Sequence, residues 1–322
     1  MATHTADLAR VDTQRRGATR QWRKLREISL GYALLAPAIV LLLVFEFYPV
    51  FYGLYISTCD WRLTCTRFIG LDNFTRAFQD PEMWHSLWTT AVYSLISVPL
   101  QLGLGLVIAY LLFQDIRGKD AFRVMFFFPY ITSTVASAAV WAYLYSPDRG
   151  LINASLKLVG IEPLRWLGAN FGTDLPAALQ GPPLALIAFL IYTTWRFVGY
   201  DIAIFLAGLG NIPTELYDAA KVDGASGLTL FRNITLPLLS PTTFFLLVIA
   251  VIGTFKEFNS VYVMTRGGPG DATELASLYI FSQMFEFNRY GYSAALSFIL
   301  FAVILVLTVV QNRAAGSRVV YD

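Results

Sequence analysis

Leu87–Phe113 reads LWTTAVYSLISVPLQLGLGLVIAYLLF and contains no charged residue. As a helix rising about 1.5 Å per residue, this run is longer than the roughly 30 Å hydrocarbon core of a bilayer. Comparable apolar runs occupy Ser29–Phe51, Ala121–Tyr145, Pro183–Leu209, Leu239–Val263 and Tyr292–Val310. Backbone groups in lipid are satisfied only within helices or closed barrels, and continuous runs are unlike the alternating segments of a barrel. The expected fold is therefore all-α, a polytopic membrane bundle of six transmembrane helices.

Composition points the same way. Of 322 residues, 56% are hydrophobic and 14% charged, whereas a soluble domain carries about 25% charged residues. A net charge of +2 provides no basic face for nucleic acid. Basic residues crowd one set of connections: RRGATRQWRKLR over Arg15–Arg26, then Arg117, Lys119 and Arg123, then Lys221 and Arg232, and finally Arg313 and Arg318. Such residues favour the cytoplasm, which predicts that both termini lie there. The first apolar run is too long for a cleaved signal and reads as a retained helix. The predicted organisation is a basic tail (1–28), a membrane domain (29–311) with a prominent loop at 211–238, and a short carboxyl tail (312–322).

Cys59 and Cys65 leave two readings open, a small disulfide loop or a pair of free thiols. With His4 and His85 isolated, no metal or catalytic-thiol cluster is expected. Residues Ala272–Phe287 place Leu275, Leu278, Tyr279, Phe281 and Phe285 among polar neighbours, which suits a short interfacial or re-entrant helix, the alternative being a solvated loop.

The loop between the fourth and fifth runs reads NIPTELYDAAKVDGASGLTLFRNITLPLLSP from Asn211 to Pro241. Pro213 suits a helix start, and Glu215 and Asp218 would then sit near the positive end of its dipole. Ala219, Ala220, Gly224, Ala225 and Gly227 keep that helix slim, so another surface can approach it closely.

On Glu215, Ala219, Ala220, Asp223, Gly224, Ile234, Leu236 and Pro237 the loop resembles that of the membrane subunits of binding-protein-dependent ABC importers. Leu216, Tyr217 and Asp218 intervene before the two alanines, a spelling similar to the carbohydrate branch of that family. Tyr48–Pro49, FIGLDNF at Phe68–Phe74 and TRGGP at Thr265–Pro269 extend the resemblance over most of the chain. It implies a type I importer permease in a prokaryotic plasma (inner) membrane, forming half the path for a sugar, oligosaccharide or sugar-like solute. The implied partners are a second homologous permease, two ABC ATPase subunits, an extracytoplasmic solute-binding protein and the lipid bilayer. Glu215, Asp218, Ala219, Ala220, Asp223, Gly224 and Pro237 would couple this subunit to the ATPase.

No catalysis is expected in this chain, and no cofactor: GxxxxGK followed by Ser or Thr is absent from the sequence, so ATP and Mg belong to the partner ATPase. Gly103 and Gly105 read instead as helix-packing positions.

Charges inside a bilayer are costly and call for a partner or a wet cavity. Arg196 and Asp201 fall in the fourth run, and Lys256 and Glu257 in the fifth. Pairing of Arg196 with Glu257, or of Lys256 with Asp201, is open to them. With the family resemblance, Arg196, Phe197, Tyr200, Phe255, Lys256, Glu257 and Asn259 are the candidates for lining the solute path. The alternative reading is an ion-coupled secondary transporter, in which such charges would be the coupling groups.

Overall fold

The computed structural model describes residues 29–62, 64–168 and 184–315. The basic tail 1–28, Pro183 at the start of the expected fourth span and the last residues 316–322 lie outside them. The chain divides into two units, the first ending at Ile56 and the second beginning at Ser57.

The described residues of the first unit, 29–56, lie in helix α1 (Ser29–Ser57), long and apolar enough to span a membrane. It widens into a π-helical turn at Leu43–Phe47, and the Tyr48 and Tyr52 rings stack one turn apart with centroids 5.8 Å from each other.

The second unit opens with a hairpin, β1 (Cys59–Trp61) antiparallel to β2 (Cys65–Phe68), closed by a Cys59–Cys65 disulfide. Of the two cysteine readings, the disulfide is the one found. Helix α2 (Asp72–Phe78) holds the hairpin through Asn73, whose Nδ2 donates to the carbonyls of Ser57 (2.8 Å) and Cys59 (3.1 Å).

Helices α3 (Pro81–Phe113), α7 (Leu184–Gly210) and α13 (Tyr290–Ala315) follow the expected second, fourth and sixth spans. The third and fifth depart from straight spans. The third breaks into α4 (Lys119–Ile131) and α5 (Thr134–Leu144), bent by 98°, with the short α6 (Leu151–Leu158) after it. Thr132 leaves the helical region at ψ 154°, and Ser133 restarts the helix by accepting from the amide of Ala136.

After the short α8 (Thr214–Val222), the fifth span breaks into α9 (Leu228–Leu238) and α10 (Ser240–Phe255), bent by 65°. Pro237 and Pro241 flank the bend, each lacking an amide to donate. α10 ends at Phe255, so Lys256 and Glu257 lie at a break before α11 (Asn259–Met264) and not within a span as expected. The expected interfacial segment is α12 (Ala276–Phe281), continued by a wide turn to Glu286. Among the described residues four helices are long and apolar enough to cross a membrane, and counting each bent pair as one span makes six.

α7 is the axis of the second unit. One apolar cluster joins Phe189, Tyr192 and Leu186 to Tyr93 of α3, Ala138 of α5 and Val261 of α11. A second joins Ile202, Phe205 and Leu209 to Val98 and Leu102 of α3 and Leu246 of α10. Lipid is as apolar as these side chains, so close packing and hydrogen bonds between helices carry the specificity. A Cβ on Gly199 would lie 1.9 Å from the carbonyl oxygen of Phe126 on α4, and one on Gly208 would lie 2.6 Å from Thr242 Oγ1 on α10. Gly105 of α3 packs against Asp201, but Gly103 meets nothing within 4 Å. Residues two apart face opposite sides of a helix, so only one of this expected pair can pack inward. Thr254 Oγ1 donates to Ser94 Oγ (2.8 Å), and Tyr145 Oη to the Ala188 carbonyl (2.9 Å).

Candidate functional site

Two features stand out, an exposed helix between α7 and α9 and a cavity among α3, α4, α7 and α10. In the first, Glu215, Asp218, Ala219, Asp223 and Gly224 are exposed and Ala220 is half-buried. The end of α8 is built by hydrogen bonds. The amide of Ala225 donates to the carbonyl of Ala220 (2.9 Å) and that of Gly224 to Lys221 (3.0 Å), with Gly224 at φ +83°. This is a Schellman ending, in which the left-handed residue strongly favours glycine. Lys221 pairs with Asp218 at 3.0 Å, both well exposed, a contact worth little.

Tyr217, which the sequence marks only as part of the motif's spelling and not as a coupling residue, turns the other way. Its Oη lies 3.1 Å from Thr235 Oγ1 on α9, and it packs against the apolar cluster to which Leu209, Ile212 and Leu239 belong. α8 is thereby fastened to the end of α7 and to the bent fifth span. Pro237 is exposed on α9.

The cavity has a volume of about 140 Å³ and is lined by Tyr93, Gln101, Tyr130, Phe197, Tyr200, Asp201, Leu246, Ile249, Ala250, Gly253, Thr254 and Glu257. The Tyr130 and Tyr200 rings stack at 4.9 Å, and Phe197 meets Tyr130 edge-on at 6.3 Å. Of the seven residues named from sequence, the cavity takes Phe197, Tyr200 and Glu257.

The other four lie elsewhere. Phe255 is buried against Ala276 and Leu300, while Lys256 and Asn259 are exposed. Arg196 is buried and spans the α4–α5 break. Its Nη1 donates to the carbonyls of Thr132 (3.1 Å) and Pro129 (3.4 Å) and to Ser137 Oγ (3.3 Å), and its Nη2 donates to Thr134 Oγ1 (2.6 Å). A cation here satisfies the carbonyls freed at the negative end of α4. Neither sequence pairing forms: ion pairs among the described residues are Lys119–Asp115, Arg123–Asp120 and Lys221–Asp218. Glu257 instead accepts from the Ser260 amide through Oε1 (3.1 Å), and its carbonyl accepts from Ser277.

Gln101, Asp201 and Tyr130 were outside the named set. Gln101 is the polar residue in the middle of the uncharged Leu87–Phe113 run, which is the signal that marks it.

At the end of the bundle beside the hairpin, Asp80 accepts from Tyr279 (2.6 Å), from Tyr292, and from the Glu82 amide (3.0 Å). Burial raises the Asp80 carboxyl, but these hydrogen bonds outweigh it and hold the group below its ordinary value. Nearby Glu274 is pushed up to about 7, first by burial and then by Asp271, Glu82, Glu286 and Asp80.

The sign follows from proton linkage. Between the unfolded value near 4.5 and about 7, the folded chain binds the Glu274 proton more tightly, so stability falls as pH rises through that window and levels above it. Asp80 acts oppositely, its stabilisation being lost only as pH falls below the ordinary 3.8. Glu274→Gln is therefore expected to flatten the decline between pH 5 and 7 and to raise stability at pH 8. Melting temperatures of both proteins across this range check it, and parallel profiles would count against it.

Residues 101–316 match the family described as binding-protein-dependent transport system inner membrane component. The chain is 36% identical over 312 residues to the probable ABC transporter permease protein YesP of Bacillus subtilis, covering 95% of this chain and 96% of that one. It is 35% identical over 297 residues to the trehalose/maltose transport system permease protein MalF of Thermococcus litoralis, covering 92% and 96%. A solved bacterial alginate ABC transporter, in complex with an alginate pentasaccharide-bound periplasmic protein, contains a chain of the same fold. Its TM-score is 0.78 at 24% identity, over 91% of this chain and 96% of that one. Both sequence relatives are named as transport permeases. With a family match and full-length relatives of this kind, the chain belongs to the binding-protein-dependent inner membrane components: it is a multi-pass permease subunit of an ABC importer, working with an ATPase and a solute-binding protein.

Proposed function

We propose that this subunit forms half of the transmembrane path for a hydroxyl-rich, sugar-like solute and relays the motion of its ATPase through α8. The observation that carries the reading is the exposed α8 with its Schellman ending, anchored by Tyr217 to the ends of the fourth and fifth spans. Force applied to such a helix passes into two spans at once. Glu215, Asp218, Ala219, Ala220, Asp223, Gly224 and Pro237 are the coupling set in this reading. Phe197, Tyr200 and Glu257 serve the path, with a second permease supplying the facing half and two ATPase subunits docking below.

This places α8 and both termini in the cytoplasm and the disulfide-closed hairpin outside, as a disulfide in an oxidising compartment favours. ATP and Mg bind to the partner ATPase, and this chain catalyses nothing. A sugar-like cargo is supported by relatives named as permeases for trehalose and maltose, for lactose and for sn-glycerol-3-phosphate, and by the stacked aromatic rings of the cavity, which suit the apolar faces of a sugar ring.

The test is uptake by the transporter reconstituted with its partner permease, ATPase and binding protein. Accumulation of labelled disaccharide is expected to need ATP on the α8 side and to survive a protonophore. Uptake that continues without ATP and collapses with the protonophore would establish an ion-coupled carrier instead.

A further inference from the structure

We infer that Asp201 is a solute-binding residue of the cavity and that, with Glu257, it makes this half of the path select neutral or cationic hydroxylated solutes over anions. The inference rests on the cavity belonging to the transport path, as proposed above. Asp201 lines the cavity and is 2% exposed, and its buried Oδ2 has no hydrogen-bond partner among the described residues. A buried carboxylate oxygen without a donor is costly, and structures normally supply one. In its ionised form this carboxylate accepts only, so a bound group that donates, such as a hydroxyl or an ammonium, completes it.

Asp201 has little freedom to turn elsewhere. Its Cβ faces Gly105 so closely that a Cβ on that glycine would come within 2.8 Å. The second observation is the absence of a counter-charge. Asp201 and Glu257 both line the cavity, and among the described residues no Lys, Arg or His does. The nearest candidate by sequence, Arg196, spends its Nη donors on the α4–α5 break. Lys256 is exposed and outside the lining. A phosphate, sulfonate or uronate would therefore meet two carboxylates and no cation, whereas a neutral polyol meets an acceptor at Asp201, an amide at Gln101 and the stacked rings of Tyr130 and Tyr200.

The test labels the intact transporter in nanodiscs with a fluorescent carbodiimide and follows modification of Asp201 by peptide mass spectrometry. Millimolar trehalose, lactose or glucosamine is expected to slow labelling about ten- to hundredfold, the range of a hydrogen bond to a charged group. Glycerol 3-phosphate and digalacturonate are expected to leave it unchanged. Protection by the anions equal to that by the neutral sugars, or protection by none of the probes, overturns the inference.

Asp201→Asn supplies a second measurement. The ratio of anionic to neutral solute imported is expected to rise at least about tenfold, and an unchanged ratio in an assembled complex reduces Asp201 to packing. Should Asp201→Asn fail to assemble, as size-exclusion chromatography would reveal, Glu257→Gln must move the ratio in the same direction for the inference to stand. Failure of the transport reading looks different, because wild-type vesicles would then show no ATP-driven uptake while Asp201 protection persisted.

Discussion

Uptake is expected to vanish when Glu215 is replaced by lysine, with the ATPase lost from the purified complex and the permease still in the membrane. Glu215 is exposed in the first turn of α8 and makes no ion pair among the described residues, so the folded chain scarcely depends on it. Losing a negative charge near a helix amino terminus costs about 0.3–1 kcal/mol, too little to unfold a bundle of this size. The same reversal inside a closed protein–protein contact costs about 2–5 kcal/mol, or more than tenfold in affinity. The two sites of action are thus separable by magnitude. Uptake with purified vesicles, together with co-purification of the ATPase, reads both. Normal uptake by Glu215→Lys would remove α8 from the coupling role.

Replacing Arg196 by methionine is expected to lower stability by about 3–5 kcal/mol, the range for breaking a buried charged network. Four acceptors on the α4–α5 break receive this guanidinium, and two are main-chain carbonyls at the bend. Arg196→Lys is expected to recover only part of the loss, because an ammonium is a single point and cannot span acceptors lying in different directions. Lys256→Met, at an exposed position, should change stability by less than about 0.5 kcal/mol. Thermal unfolding of the three purified variants in one detergent provides the comparison. If Arg196→Met and Lys256→Met melt alike, the break is not held as the geometry indicates.

Arg196 also shows where reading of the chain runs out. A buried arginine in an apolar run announces that it has a partner, but the partner was sought among acidic residues. The carbonyls that receive it exist only because the third span bends, and Thr132 carries no strong signal of leaving the helix. Lys256 and Glu257 were assigned to a span for a similar reason. The apolar character continues past Phe255 through Val261 and Val263, and composition alone does not reveal that the helix stops between them.

The cavity was legible only in part. Phe197 and Tyr200 come from family likeness and Glu257 from its charge in an apolar run, whereas Gln101 and Tyr130 depend on which faces of α3 and α4 turn toward α7.

By itself the sequence determined that this is a helical membrane protein with about six crossings and a slim, glycine-ended helix between the fourth and the fifth. Those properties follow from local terms: the free energy of apolar runs in lipid, the left-handed residue a helix ending favours, and the basic flanks of the spans. Only the tertiary structure decided that two spans are broken, that Cys59 and Cys65 are joined, that Arg196 braces a bend, and that Asp201 is left facing a cavity without a donor. These depend on how helices rotate about their axes, and that rotation is set by close contacts such as Gly199 against Phe126 and Gly105 against Asp201, between residues distant in the chain.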